Sequence, residues 1–372
     1  MRRSIFGWAR STVCLRRIAA ASIASCGVLS LGGIVAPASA ATESVSCSDY
    51  NLPAPYDGTT YSINGTLCVP DGTPPETVMV LVPGMTYTQD YWNIPIDPDT
   101  NNFRLAMNNA GYATFALDRL GSGLSSIPAS VQVTALAEAG TLHDVIQALR
   151  AGDVGGQSFS QVILGGHSLG SFDAIYEAAT YHDVNGLFLT GFSHNINLIN
   201  ATVLLTTGIQ PAADDPQLAS QGFGFGYITT LPSGRKMFYG PGADVAPALQ
   251  QWDEATKTAT SLIELATALP STLPVPIDPS LIPPETLPSS NAIDTNVLLI
   301  DGADDNFACS PIVDNCQSDS SMQSTEQPFF SNANSFEAEV IPGAGHDINL
   351  SVNAPEEQEE VIGWANRWVG TS

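Results

Sequence analysis

Apolar positions along this chain follow two rhythms. Short unbroken apolar runs bounded by turn residues occur at 78–82, 162–164 and 297–300, with 112–117 and 187–189 as further members. Runs of that length, rich in Val, Leu and Ile, predict strands buried on both faces, as in a parallel sheet. Residues 336–340 instead alternate strictly, as a strand near a sheet edge does. Upstream, Asn64-Gly65 separates Tyr61-Ser62-Ile63 from Thr66-Leu67-Cys68-Val69 and predicts a two-residue hairpin turn. Helical spacing falls between the strands. Leu142, Val145, Ile146 and Leu149 form one stripe, and Val361, Trp364, Ala365 and Trp368 form another. Asn353, with Glu356 three residues on, has the spacing of a helix-starting cap. Strand and helix alternate through most of the chain, so the expected class is α/β, a mostly parallel central sheet flanked by helices.

One region breaks the alternation. Roughly a hundred residues separate the 187–189 strand from the 297–300 strand, too many for a simple crossover. They hold a glycine–aromatic stretch at 222–227 and an expected hairpin turn at Pro232-Ser233-Gly234. An amphipathic helix is expected next, with Ala255, Ala259, Leu262, Ile263 and Ala266 on one face, then a Pro-rich arm at 270–288. This reads as an inserted cap or lid. The expected organisation is a leader at 1–40, core at 41–193, cap at 194–292 and core again at 293–372.

The leader follows from charge. Its forty residues carry Arg2, Arg3, Arg10, Arg16 and Arg17 and no acid, then an apolar run and the small-residue site Ala38-Ser39-Ala40. That order predicts a secretory signal cleaved near Ala40. The apolar run is short for a membrane span. Ile23-Ala24-Ser25-Cys26 is similar to a lipid-attachment box, but the run continues past Cys26 where a lipidated Cys would end it. No stable membrane anchoring is expected. Beyond Ala40, seven Lys and Arg face thirty-seven Asp and Glu, a net of −30. Such a charge argues against nucleic acid and anionic membranes as partners. Cys47, Cys68, Cys309 and Cys316 remain; an even count in an oxidising compartment predicts two disulfides, with three connectivities open. Sequence proximity favours Cys47–Cys68 and Cys309–Cys316. The spacings do not suit a zinc site, and neither a metal nor a cofactor is expected.

Gly166-His167-Ser168-Leu169-Gly170 is the one G-x-S-x-G pattern in the chain. It follows the strand expected at 162–164 and opens a helical stretch at 172–179. That is the strand–turn–helix setting of a nucleophile elbow, in which glycines permit a tight turn and the serine hydroxyl stands clear of the sheet. Ser168 then sits at a helix N-terminus, where unpaired N–H groups favour developing negative charge.

On these residues the chain resembles the α/β-hydrolase superfamily, over essentially all of the sequence after the leader apart from the variable cap. Val82-Pro83-Gly84-Met85 stands in the place of the family's His-Gly oxyanion loop, with Pro83 where His is more usual. Asp118-Arg119-Leu120-Gly121-Ser122-Gly123-Leu124-Ser125 is similar to the family's D-x-x-G-x-G-x-S stretch. The resemblance implies a triad in the order Ser, acid, His. His346, in the loop Gly343-Ala344-Gly345-His346-Asp347, is the histidine of the five that fits; His167 belongs to the elbow, and His143, His182 and His194 carry no motif. Three residues past Gly302, where the family commonly places its acid, stands Asp305, with Asp304 the alternative. The resemblance also implies an oxyanion hole from the N–H groups of Leu169 and Met85, with Thr86 as an alternative to Met85. Tyr87, Tyr91 and Trp92 are expected to line the acyl side of the pocket. Phe223, Phe225, Tyr227, Phe238 and Tyr239 are expected as its roof.

A serine nucleophile implies acyl transfer. The expected reaction is hydrolysis of a small-molecule or lipid-like carboxylic ester through an acyl-enzyme at Ser168. The alternative is a secreted exopeptidase, which needs carboxylates to hold a substrate ammonium; Asp214-Asp215 or Glu254 would serve. A non-catalytic binding protein on this fold is the reading from another class. Composition leaves the oligomeric state open.

Overall fold

The computed structural model describes residues 44–242, 245–269, 275–276, 279–283, 286–309 and 316–372. The leader expected at 1–40, Cys26 included, lies outside the described residues, as does part of the Pro-rich arm. Two long strands open the fold, β1 (Val45–Tyr56) and β2 (Thr59–Pro70), paired antiparallel throughout. Their turn is Asp57-Gly58, not Asn64-Gly65. Both turn residues have positive φ (44° and 76°), as a two-residue hairpin of matching twist requires. Asn64-Gly65 lies mid-strand, and its glycine answers a different need. A Cβ on Gly65 would come within 2.5 Å of the Phe115 ring on the neighbouring strand.

Next come β3 (Thr77–Val82), α1 (Pro98–Asn101), α2 (Phe103–Asn109), β4 (Ala113–Leu117), α3 (Ala135–Ala151), β5 (Gln161–His167), α4 (Leu169–Tyr181) and β6 (Gly186–Thr190). The unbroken apolar runs became these buried strands. Thr134 caps α3 by accepting from Ala137 N–H, and the stripe Leu142, Val145, Ile146, Leu149 faces the core.

Between β6 and the next core strand lie α5 (Leu198–Thr207), β7 (Ile209–Pro211), β8 (Tyr227–Thr230), α6 (Pro232–Tyr239), α7 (Pro247–Thr256), β9 (Thr260–Ser261) and α8 (Leu262–Ala268). β7, β8 and β9 form their own antiparallel sheet. The turn expected at Pro232 is instead the start of α6. Proline at a first helical position forfeits no hydrogen bond and presets φ, so the same residue suits a helix start. The single amphipathic helix expected across Ala255 to Ala266 is broken in two. Thr260-Ser261 pairs with β8, and the Ser261 hydroxyl caps α8 through Ile263 N–H and Glu264 N–H. Ala255, on the far side of that break, is exposed.

β10 (Asn296–Gly302), α9 (Asp319–Glu326), β11 (Ser335–Ile341) and α10 (Ala354–Trp368) complete the core. Asn353 does precede α10, but its side chain gives no cap; its Nδ2 donates to the Pro342 carbonyl instead. Trp368 leaves the expected stripe: it is 42% exposed, with its indole N–H on Glu337. The large sheet runs β1-β2-β4-β3-β5-β6-β10-β11, parallel from β4 to β11. The disulfides are Cys47–Cys68, between β1 and β2, and Cys309–Cys316. Among the described residues no helix is long and apolar enough to cross a membrane. In a parallel sheet the loops leaving the strand C-termini converge on one edge, and the chemistry gathers there.

Candidate active site

β5 delivers Ser168 at the head of α4. Its backbone is held at φ 54°, ψ −118°, a conformation that a non-glycine residue adopts at a cost of about 1–3 kcal/mol. The neighbours make room for it. A Cβ on Gly166 would lie 2.4 Å from Gly170 O, and one on Gly170 would lie 2.5 Å from Val82 O. The turn is tied to β6 by Ser168 N–H donating to Thr190 O at 2.8 Å.

The loop after β11 brings His346 over this hydroxyl, with Nε2 2.7 Å from Ser168 Oγ. The loop after β10 brings Asp305 Oδ2 to 2.7 Å from His346 Nδ1. Asp305 is itself aimed: Oδ1 accepts from Phe307 N–H at 2.6 Å and Ala308 N–H at 3.1 Å. The structure thus brings Ser168, His346 and Asp305 into one line. Asp304 turns the other way, its carboxylate against Gly242 of the insertion. Burial opposes a charged His346 imidazole, but the adjoining Asp305 carboxylate outweighs it and holds the His346 pKa above the ordinary histidine value.

The Ser168 hydroxyl opens on a cavity of about 70 Å³. Its walls are apolar: Phe172, Phe192, Ile196, Leu205, Leu265 and Phe307 are among them, with Met85 and Leu169 beside the serine. Met85 N–H and Leu169 N–H meet no acceptor among the described residues, whereas Thr86 N–H donates to Thr260 Oγ1 at 2.7 Å. The loop after β3 therefore leaves the Met85 donor, not the Thr86 donor, open to a ligand.

A model of the alpha/beta hydrolase family matches residues 79–361, most of the chain and every residue of this site. The chain belongs to the α/β-hydrolase family. Comparison with curated protein sequences finds no match. Among solved structures the chain is similar to the α/β-hydrolase GrgF of a Penicillium species, at TM-score 0.52 and 14% identity over 87% of this chain and 99% of that one. It is also similar to the peroxisomal α/β-hydrolase Lpx1 of Saccharomyces cerevisiae, at 0.50 and 15% over 89% and 91%. The Pyrococcus furiosus esterase Pf2001 matches at 0.50 and 14% over 87% and 92%. At such identities the likeness is one of fold.

Three aromatic expectations need correction in this α/β-hydrolase. Tyr87, Tyr91 and Trp92 do not line the cavity. They are buried behind the serine: Tyr91 stacks on His167 at 4.2 Å, and Trp92 packs edge-on to Phe103 and Phe188. Of the five roof aromatics, Phe238 alone reaches the cavity. Phe223 and Tyr227 are buried elsewhere in the insertion, Phe225 is 84% exposed, and Tyr239 donates to Asp253. Proximity in sequence to the oxyanion loop was a poor guide, because the residues after it pack onto His167 and the core aromatics Phe103 and Phe188.

The sequence reading missed a polar network behind the site. His167 Nε2 lies 3.0 Å from Asp347 Oδ1 and its Nδ1 3.1 Å from Thr190 Oγ1; Tyr87 OH donates to Asp347 Oδ2 at 2.5 Å. Burial pushes the His167 pKa down, while Asp347, though buried, is held low by His167. Two arginines, Arg119 and Arg235, also reach the oxyanion loop. Metal-ligating groupings lie elsewhere or are already engaged. Both His346 ring nitrogens have partners, and the two cysteines beside Asp301 are joined as a disulfide. His143, Glu177 and Asp183 converge at the α3–α4 surface, outside the cavity.

Proposed function

We propose that this α/β-hydrolase is a secreted serine esterase of short-chain carboxylic esters. The observation that carries the reading is the Ser168–His346–Asp305 line, with contacts of 2.7 Å each, opening on an apolar cavity beside two unengaged N–H donors. His346 takes the Ser168 proton as the hydroxyl attacks the ester carbonyl, and Asp305 orients the imidazole and stabilises its cation. Met85 N–H and Leu169 N–H receive the oxyanion. The alcohol leaves with the proton from His346, and water then releases the acid by the same route. Two disulfides fit an oxidising compartment, in keeping with export.

The exopeptidase alternative has less support, and Asp214 is exposed and away from the cavity lining. No carboxylate lines the cavity among the described residues. Asp215 and Glu254 are instead paired with Lys257, at 2.9 Å and 2.5 Å. The cavity is small, about 70 Å³, and apolar-walled, which favours a short acyl chain over a long one. The test is a panel of p-nitrophenyl esters and aminoacyl-p-nitroanilides run on wild type and Ser168→Ala. Hydrolysis of the butyrate, at least about tenfold above the palmitate and above every anilide, is expected. A preference for anilides with a free amine would sink the esterase reading.

The pH profile follows from the base. His346 must be neutral to accept the proton, so kcat/KM should fall as pH drops through its pKa, with a midpoint above the ordinary histidine value. Asp305→Asn removes the charge that holds that pKa up, and the midpoint should move to lower pH. A rate flat down to about pH 4 would count against His346 as the base.

A further inference from the structure

Thr86 is the strained residue of the oxyanion loop. It is β-branched yet sits at φ 61°, a left-handed conformation that side chains of this shape rarely adopt. Something outside the loop must hold it, and every tie comes from the insertion. Thr86 N–H donates to Thr260 Oγ1 at 2.7 Å, and Thr86 O accepts from Thr258 N–H at 2.9 Å. Thr86 Oγ1 accepts from Arg235 Nη1 at 2.7 Å. Arg235 stands on α6, is 1% exposed and has its guanidinium carbon 3.8 Å from the centre of the Tyr87 ring. Its remaining donors fork onto the buried Asp253 carboxylate of α7 at 2.7 and 2.8 Å, and Tyr239 OH completes that carboxylate. One planar cation thus spans two helices of the insertion and the turn beside Met85.

We infer that Arg235 is a positioning residue for the oxyanion hole: by gripping Thr86 in its left-handed turn, it keeps the neighbouring Met85 N–H free and aimed at Ser168. The inference rests on the acyl-transfer reading above and adds to it a role for the insertion. Half of the oxyanion hole is built against α6, α7 and β9, so those elements are fixed to the core at this edge. A lysine in place of Arg235 keeps the charge for Asp253 but has no fork to reach Thr86 at the same time.

The test is the rate at which a fluorophosphonate labels Ser168 in wild type, Arg235→Lys and Thr86→Val. In that reaction His346 takes the hydroxyl proton as Ser168 attacks phosphorus, fluoride leaves, and the phosphoryl oxygen takes the place of the oxyanion, whatever the natural acyl substrate is. Thr86→Val keeps the branched shape and removes only the accepting hydroxyl. Both variants should label to completion, which counts every site as folded. Arg235→Lys should label roughly 10- to 100-fold more slowly, less than the loss from deleting a donor outright. Thr86→Val should lie between it and wild type. In ester hydrolysis the same fall should appear in kcat, with KM within about twofold. Complete labelling of both variants at the wild-type rate would overturn the role of Arg235 and leave the esterase reading standing. A wild type that does not label would remove the acyl-transfer reading, and this inference with it.

Discussion

Ser168→Ala is expected to lower kcat for p-nitrophenyl butyrate by roughly 10⁵- to 10⁶-fold, and adding His346→Ala to it should change almost nothing further. The non-additivity is the informative part. Ser168 Oγ and His346 Nε2 share one hydrogen bond of 2.7 Å, and in the proposed mechanism neither acts without the other. The residual rate should exceed that of water, because Met85 N–H and Leu169 N–H remain to polarise the bound carbonyl. Asp305→Asn leaves the shapes in place but presents an amide to His346 Nδ1, which favours the wrong tautomer and should cost about 10⁴-fold. Initial rates on these three variants and on His346→Ala alone, each with its circular dichroism spectrum, check the set. A double variant far below either single one would mean that Ser168 and His346 do not act as a unit.

Local sequence carried the parts of this site that local sequence controls. The apolar runs that became β5 and β10, and the alternating segment that became β11, place Ser168, Asp305 and His346 at the ends of strands that the sheet brings close together. Strand burial is a short-range pattern, and so is an elbow glycine. Turn chemistry was less legible because one residue type answers several needs. Asn64-Gly65 looks like a hairpin turn, yet its glycine is there for the Phe115 ring. Asp57-Gly58, seven residues upstream, carries the same signal and is the actual turn. Pro232 and Ser261 show the same ambiguity at the insertion, where a breaker and a polar residue each start a helix.

Long-range polar pairing left no local mark at all. Arg235 and Asp253 are eighteen residues apart, and Arg119 and Glu264 are 145 apart. One signal was available nonetheless. Five of the twelve Lys and Arg lie in the first seventeen residues, leaving seven for the rest of the chain. Where cations are that scarce among so many acids, a surface role in solubility falls to the acids. Each remaining cation is then worth tracing to a partner inside, and Arg119, Arg235 and Lys257 all prove to be buried.

Arg119→Met is expected to cost the protein about 3–5 kcal/mol of stability at pH 8, and less at pH 5. Arg119 is fully buried and pairs with Glu264, and Asp173 lies 3.9 Å away. Its other nitrogen donates to Gly84 O at 3.0 Å and Thr260 Oγ1 at 3.3 Å, joining core to insertion. Methionine fills the space and leaves buried carboxylates with no counter-charge. The pH dependence follows from protons. Burial pushes Asp173 up to about 7 and Glu138 well above its ordinary value, and Arg119 pulls both down. Groups whose folded pKa is raised bind more protons folded than unfolded, so stability falls as pH rises from about 4 through the folded pKa. Without Arg119 those folded values rise further, and the fall continues to higher pH than in wild type. At pH 5 both carboxyls are protonated in either protein, and the difference narrows to the lost pairing at Glu264 and Gly84. Urea denaturation of wild type and Arg119→Met at the two pH values measures the gap; a gap equal at pH 5 and pH 8 would show that the charge on Arg119 is not what holds these carboxyls inside.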